Sequence, residues 1–173
     1  MKKSNIFLTI IALLGILISS CDKETTRLTK GLPEYENYYY AGFLPWNNTG
    51  TESVLRTQTT LVKFPVQFQS SFVRDYNASA QYILVTTGIT NPAVLGQDFE
   101  IVDKNGVKIN PVDGKYSLVF PKAEAKIDTI YAKVLNSSIA GTRKIEIDLV
   151  KNTTNDYTVG TFSQAFKRFL EVK

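Results

Sequence analysis

The chain has 173 residues, with 20 Lys and Arg against 16 Asp and Glu, a single Cys and no His. Without imidazole there are no Ser-His or Cys-His nucleophile pairs, no His-ligated zinc, and no access to the commonest general base. A formal charge of +4, two units of it from Lys2 and Lys3 at the extreme start, leaves no clustered basic face of the kind nucleic acid needs.

Residues 1–20 read as an export leader. Lys2 and Lys3 open it, Ile6 to Ile18 is an almost unbroken apolar run, and the small pair Ser19-Ser20 closes it. The run of about 13 residues falls short of the roughly 20 that a spanning helix needs. Cys21 follows at once, and the junction resembles the lipobox of bacterial lipoproteins. The resemblance implies cleavage before Cys21, a lipid on its sulfur, and attachment to a membrane through that lipid. A lipidated Cys21 leaves no second thiol for a disulfide. The 153 residues that remain make one domain, long enough to bury a sizeable core.

Residues 21–33 form the tether. Asp22-Lys23-Glu24-Thr25-Thr26-Arg27 is charged and has no apolar period. Fully extended, the segment reaches about 40 Å. An acidic stretch behind the lipidated Cys, here Asp22 and Glu24, resembles the surface-export signal of Bacteroidota lipoproteins, although Lys23 interrupts it. This points to the outer membrane and the cell surface, with the periplasmic leaflet as the alternative.

The folded domain is expected over residues 34–173. Tyr35, Tyr38, Tyr39, Tyr40, Phe43 and Trp46 crowd into its first stretch. Tyr and Phe suit a half-buried strand. Flat rings also stack on sugars and peptides, and three consecutive tyrosines on a strand cannot all point inward. Tyr38, Tyr39, Tyr40 and Trp46 are therefore the candidate ligand contacts, with Trp46 in a loop, Leu44-Pro45-Trp46-Asn47-Asn48.

The rest reads as β structure. Val62, Phe64, Val66 and Phe68 alternate with polar residues, and Pro65 predicts an edge or bulged strand. Gln81 to Thr87 is apolar on both faces and reads as central. Asp98–Asp103 and Val107–Ile109 flank Asn105-Gly106, a hairpin signal. Asp113-Gly114 precedes the alternating Tyr116, Leu118 and Phe120. Ile130 to Val134 and Ile145 to Leu149 alternate as well, and Ser163–Val172 supplies a closing strand. About seven short strands without a convincing helix predict an all-β, antiparallel sandwich.

Gly96-Gln97-Asp98-Phe99, Tyr116 to Pro121, Ile127 to Leu135 and Lys144 to Val150 together resemble the Calx-beta pattern. They resemble still more the small Calx-beta-like or immunoglobulin-like lipoproteins of Bacteroidota, encoded beside Sus-type outer-membrane importers. The resemblance implies an immunoglobulin-like sandwich and an accessory role in glycan or peptide uptake, beside the transporter and its lipoproteins. Gly96 permits a bend, Asp98 accepts from turn N–H groups, and Phe99 and Phe120 are core anchors. Calx-beta modules place acidic calcium ligands after the strand matching Ile127 to Leu135. Here Asn136-Ser137-Ser138 and Gly141-Thr142-Arg143 stand there, so no cofactor is expected. A structural or adhesive surface module, stabilised by calcium, is the alternative.

Other signals are weaker. Glu146 and Asp148 share a strand face and read as solvated beside Lys144, rather than as a catalytic pair, so no catalytic residue is assigned. Asp128-Thr129-Ile130 resembles the Bacteroidota O-glycosylation acceptor, with Thr129 carrying the sugar. The four Asn-x-Ser/Thr triplets, such as Asn47-Asn48-Thr49, read as polar loops.

Overall fold

A computed structural model describes residues 36–173. The leader, Cys21, the tether and Tyr35 lie outside the described residues. Eleven strands are described: β1 (Tyr38–Phe43), β2 (Thr51–Val54), β3 (Val62–Gln69), β4 (Ala78–Val85), β5 (Phe99–Val102), β6 (Tyr116–Phe120), β7 (Lys126–Val134), β8 (Arg143–Val150), β9 (Asn152–Thr153), β10 (Thr158–Thr161) and β11 (Lys167–Val172). They form a sheet of order β5-β7-β3-β1-β10-β9 and another of order β2-β11-β8-β4-β6. No described helix is long and apolar enough to cross a membrane.

The strands follow their period-two patterns. Along β3, Val62, Phe64, Val66 and Phe68 are buried, and along β8 Ile145, Ile147 and Leu149 are. Phe68 of the first sheet stacks on Phe120 of the second, with ring centroids 4.4 Å apart and planes 12° apart, joining the two layers. Phe99 and Phe120 are core anchors, as expected, at 0% and 1% exposure. Each such side chain contributes about 2–3 kcal/mol by leaving water. Gly96, at φ 81°, makes the bend before β5.

Several expectations need correction. β3 is neither an edge nor bulged: it pairs with β7 on one side and β1 on the other. The Pro65 carbonyl accepts from Leu44 N–H at 2.9 Å, so the proline nitrogen faces the same neighbour. Its missing donor thus falls where β1 has just ended, and the ladder loses one terminal bond. Residues 107–109 make only a bridge, Val102 to Lys108, rather than a strand. The Asp103–Val107 turn does form, but β5 takes β7 as its partner. The sandwich is also not purely antiparallel, since each sheet holds one parallel pair, β1 with β10 and β2 with β11.

Those two pairs organise the molecule. The chain enters in the first sheet as β1 and crosses to the second as β2. Near its end it repeats the move, from β10 to β11, alongside. The two crossovers, residues 44–50 and 162–166, therefore run next to each other. Phe43 N–H donates to Ala165 O at 2.7 Å, and Phe162 N–H to Ala41 O at 3.3 Å.

Candidate functional site: an aromatic row at the twin crossovers

Alternation along β1 divides the three tyrosines. Tyr39 turns inward and is 2% exposed, while Tyr40 turns outward at 41%, and Tyr38 is half-buried on the same outer face. Tyr39 is thus removed from the candidate contacts. It is a core ring, 5.3 Å from Phe68, and its hydroxyl shares a 2.6 Å hydrogen bond with that of Tyr76.

Tyr38 and Tyr40 do not stand alone. Their centroids are 5.1 Å apart, Phe162 lies 5.1 Å from Tyr40, and Trp46 lies 4.7 Å from Phe162. Two glycines make the row possible. A Cβ on Gly42 would come within 2.5 Å of the Trp46 ring and 2.9 Å of Phe162, and one on Gly160 within 3.0 Å of Tyr38. The rings therefore rest directly on strand backbone. Beside Trp46 and Phe162 opens a shallow groove of about 430 Å³ that also takes in Gln69, Ser163, Gln164 and Ala165. Apolar ring faces next to side-chain amides suit ligands that carry both C–H faces and hydroxyls.

The loop bearing Trp46 is held from beneath by Arg168. This side chain is only 3% exposed, points into the sandwich from β11, and lies 5.3 Å over the Phe43 ring. Its guanidinium donates to the carbonyls of Pro45 and Asn47, on either side of Trp46, and to Lys167 O at 2.8 Å. Burial lowers its pKa from the ordinary arginine value, against the charge of Glu52. Gly50 leaves the space it needs, since a Cβ there would sit 2.8 Å from the Arg168 side chain. The two asparagines complete the frame. Asn48 donates to Ser163 O at 2.7 Å and accepts from the N–H groups of Phe166 and Lys167. Asn47 caps the turn by accepting from Thr49 and Gly50 N–H.

Thr129 lies half-buried in β7, opposite Pro65, within a paired strand rather than a loop. Glu146 and Asp148 share a face, as expected, but not a solvated one with Lys144. The Lys144 ammonium sits 4.0 Å over the Phe169 ring, and Lys167 approaches Glu146 at 3.6 Å. One Asp148 oxygen is buried without a partner. Burial, then the neighbouring Glu146 charge and hydrogen bond, push Asp148 up to about 7 against the pull of Lys167. Glu146 and Lys144 line a shallow cavity of about 450 Å³ with Phe169 and residues 87–91, which Asp148 does not line.

The loop end that holds Asn136-Ser137-Ser138 and Gly141-Thr142-Arg143 is built around arginine. Asp98 is fully buried. It accepts Arg56 at 2.8 Å, Ser137 at 3.0 Å, Arg143 at 3.5 Å and Val94 N–H at 2.9 Å. Burial alone would raise its pKa, but the Val94 N–H, Arg56, Ser137 and Arg143 together hold it below the usual carboxylate value. Arg56 also donates to Ser137 Oγ at 2.8 Å and to Gly141 O at 2.6 Å. Asp103 spends its carboxylate on the N–H groups of Asn105 and Val107. Calcium needs six to eight oxygens, several of them carboxylate. Among the described residues no three acidic, His or Cys side chains converge. These residues do not fit calcium.

No protein-family model matches the chain, and no curated protein matches it in sequence. Solved structures do match in shape. The apo form of the Calx CBD1 domain shares 16% identity at TM-score 0.51, covering 78% of this chain and 95% of that one. The chain thus has the immunoglobulin-like β-sandwich fold of the Calx-beta type. A structure of unknown function from Bacteroides ovatus shares 10% identity at TM-score 0.48, with 77% of this chain and 46% of that one covered. The third cohesin ScaC of Acetivibrio cellulolyticus, solved with the ScaB dockerin, shares 14% at TM-score 0.35, with 78% and 98% covered. At these identities the likeness is one of fold.

Proposed function

We propose that the protein is a non-enzymatic glycan-binding module, held on the outer membrane by a lipid on Cys21. Its work is that of an accessory subunit beside a Sus-type importer, presenting polysaccharide to the transporter. The observation that carries the binding reading is the aromatic row on the outer face of the first sheet. Tyr40 and Trp46 leave more than two-fifths of their surface in water, at 41% and 43%. Aromatic faces of this kind stack on pyranose C–H faces, and Gln69 and Gln164 are placed to bond sugar hydroxyls. Support for the anchor comes from the leader and the Ser19-Ser20-Cys21 junction, and for surface export from Asp22 and Glu24. Absence of histidine from the whole chain supports the non-enzymatic reading.

The test has a binding arm and a location arm. In affinity electrophoresis through gels containing single polysaccharides, the full-length protein should be retarded by at least one. Trp46→Ala should migrate freely. If no polysaccharide slows the parent while a peptide library captures it, the ligand class is wrong. Cys21→Ala should leave the membrane fraction, because acyl burial at about 0.8 kcal/mol per CH₂ dominates attachment. Retention of that variant in the membrane would remove the lipid anchor.

A further inference from the structure

The chain enters the sandwich beside one of its two loop ends. Asn37 accepts from the Tyr76 hydroxyl at 3.0 Å through its side chain and from Thr158 N–H at 3.0 Å through its carbonyl. Tyr76 belongs to the connection from β3 to β4. Four residues before it stand Phe72 and Val73, 41% and 60% exposed. Single apolar residues on a surface are ordinary. These two are adjacent, and the protein braces the loop that shows them. The Ser70 hydroxyl donates to Phe72 O at 2.8 Å, and Arg74 N–H donates to Lys122 O at 2.6 Å, in the turn after β6. Lys122 N–H in turn donates to Asn77 Oδ1 at 3.1 Å. The Arg74 guanidinium lies 5.2 Å over one face of the Phe72 ring and donates to the Tyr39 hydroxyl.

Strands β3 and β7 run from this end to the other: Phe68 pairs with Lys126 here, and Val62 with Ala132 farther along. Beyond them Leu55 is 63% exposed, next to Arg56, which reaches Ser137 and Gly141. Cys21 precedes Asn37 by sixteen residues, a span of at most about 55 Å when fully extended. A lipid on Cys21 is therefore tethered to the Phe72 end, and of the two loop ends this is the one brought to the bilayer. We infer that Phe72 and Val73 enter the head-group boundary of that phospholipid bilayer and stand the sandwich on it, with the Leu55 end away from the membrane. This rests on the lipid-anchor part of the proposed function and adds an orientation to it. Arg74, Lys122 and Lys126 surround the pair together with Asp75 and Glu124, so charges of both signs meet the head groups and the contact is mainly apolar.

Depth-dependent quenching tests the inference. The mature protein, purified from membranes, is reconstituted into vesicles of phosphatidylethanolamine and phosphatidylglycerol, plain or brominated near the head of the acyl chains. With Trp46→Phe removing the native signal, Phe72→Trp should lose about half of its emission or more to the bromines, since interfacial side chains sit roughly 5–10 Å into the boundary. Leu55→Trp in the same background should lose none. In the unaltered protein, a photoactivatable phospholipid should label residues 70–75 and spare residues 55–60, a readout that needs no variant to fold. Absence of quenching and of labelling at residues 70–75, in protein that floats with the vesicles, would overturn the inference and leave the anchor intact. Equal quenching at both positions would overturn the orientation. Phe72→Trp emission that is blue in detergent and reddens on dilution would put a second protein on this loop instead of a bilayer. Mature protein without an acyl mass on Cys21, which does not float, would remove the anchor reading and this inference with it.

Discussion

The aromatic row and the loop end around Asp98 use polar and apolar groups in opposite ways. At the loop end a fully buried carboxylate meets two guanidiniums, a hydroxyl and a backbone N–H, so its charge is spent within the protein. Along the row, ring faces are left in water, and Gly42 and Gly160 let the rings lie directly on the strands, where a Cβ would strike them. The first region joins β5 to the segments after β2 and β7. The second sits on a frame of its own, with Arg168 and two asparagines beneath it, and offers its faces outward. In this molecule the loop end is a structural clasp, and the exposed rings lie on a sheet face instead.

The largest effect is expected at the clasp. Arg56→Ala strips Asp98 of its shortest ion pair and leaves a buried carboxylate with Arg143 as its one cation. Urea denaturation should show a loss of about 3–5 kcal/mol. Because Asp98 is held below its ordinary value, the parent should also lose stability as pH falls below about 4, and the variant should lose less. A change within 0.5 kcal/mol would show that the clasp is not structural.

Arg168→Met should affect the other region. It removes the donors to Pro45 and Asn47 while relieving a buried charge, so about 2 kcal/mol of stability should go. Trp46 is the only tryptophan, so its emission reports on this loop alone. The emission should move to the red as the loop loosens, whereas Arg56→Ala leaves it in place. A red shift from both variants would mean that the two regions are coupled.

Asp148→Asn is a smaller, pH-dependent test. Asp148 sits at about 7 in the folded protein against 3.8 in the open chain, so the folded state holds the extra proton between those values. Stability must therefore fall as pH rises from about 4 to 7, and the amide escapes that fall. At pH 8 the variant should exceed the parent by about 1 kcal/mol, after allowance for solvent screening, with the gap closing toward pH 4. A parent melting temperature that is flat from pH 5 to pH 8 would contradict this. Smallest of all, calcium and chelator should leave that temperature unmoved, because the loop end offers guanidinium where calcium needs carboxylate. A rise of several degrees with calcium would reopen the metal reading.

Much of the sandwich was legible in the sequence, because a sheet with one buried face writes itself as alternation, as at Val62–Phe68 and Ile145–Leu149. β2 leaves no mark in the sequence, since Thr51-Glu52-Ser53-Val54 has no buried residue to set a period. The parallel pairings were illegible because they join the chain's two ends, and no local pattern records a partner more than a hundred residues away. Of the site, Trp46 and the outward tyrosines could be read, and strict alternation from Tyr38 would have set Tyr39 apart. Arg168 left a signal as well, since Phe166, Leu170 and Val172 place it on the inward face of its strand. Phe162 had none: it joins the row only because the second crossover runs beside the first.

Trp46 fluorescence during titration of the full-length protein with soluble polysaccharides tests the central claim most directly. For a polysaccharide that binds, the emission should shift to the blue and saturate with the same midpoint as calorimetric binding, as sugar replaces water on the ring. Binding by calorimetry with Trp46 emission unchanged would put the ligand elsewhere and contradict the assignment of this face.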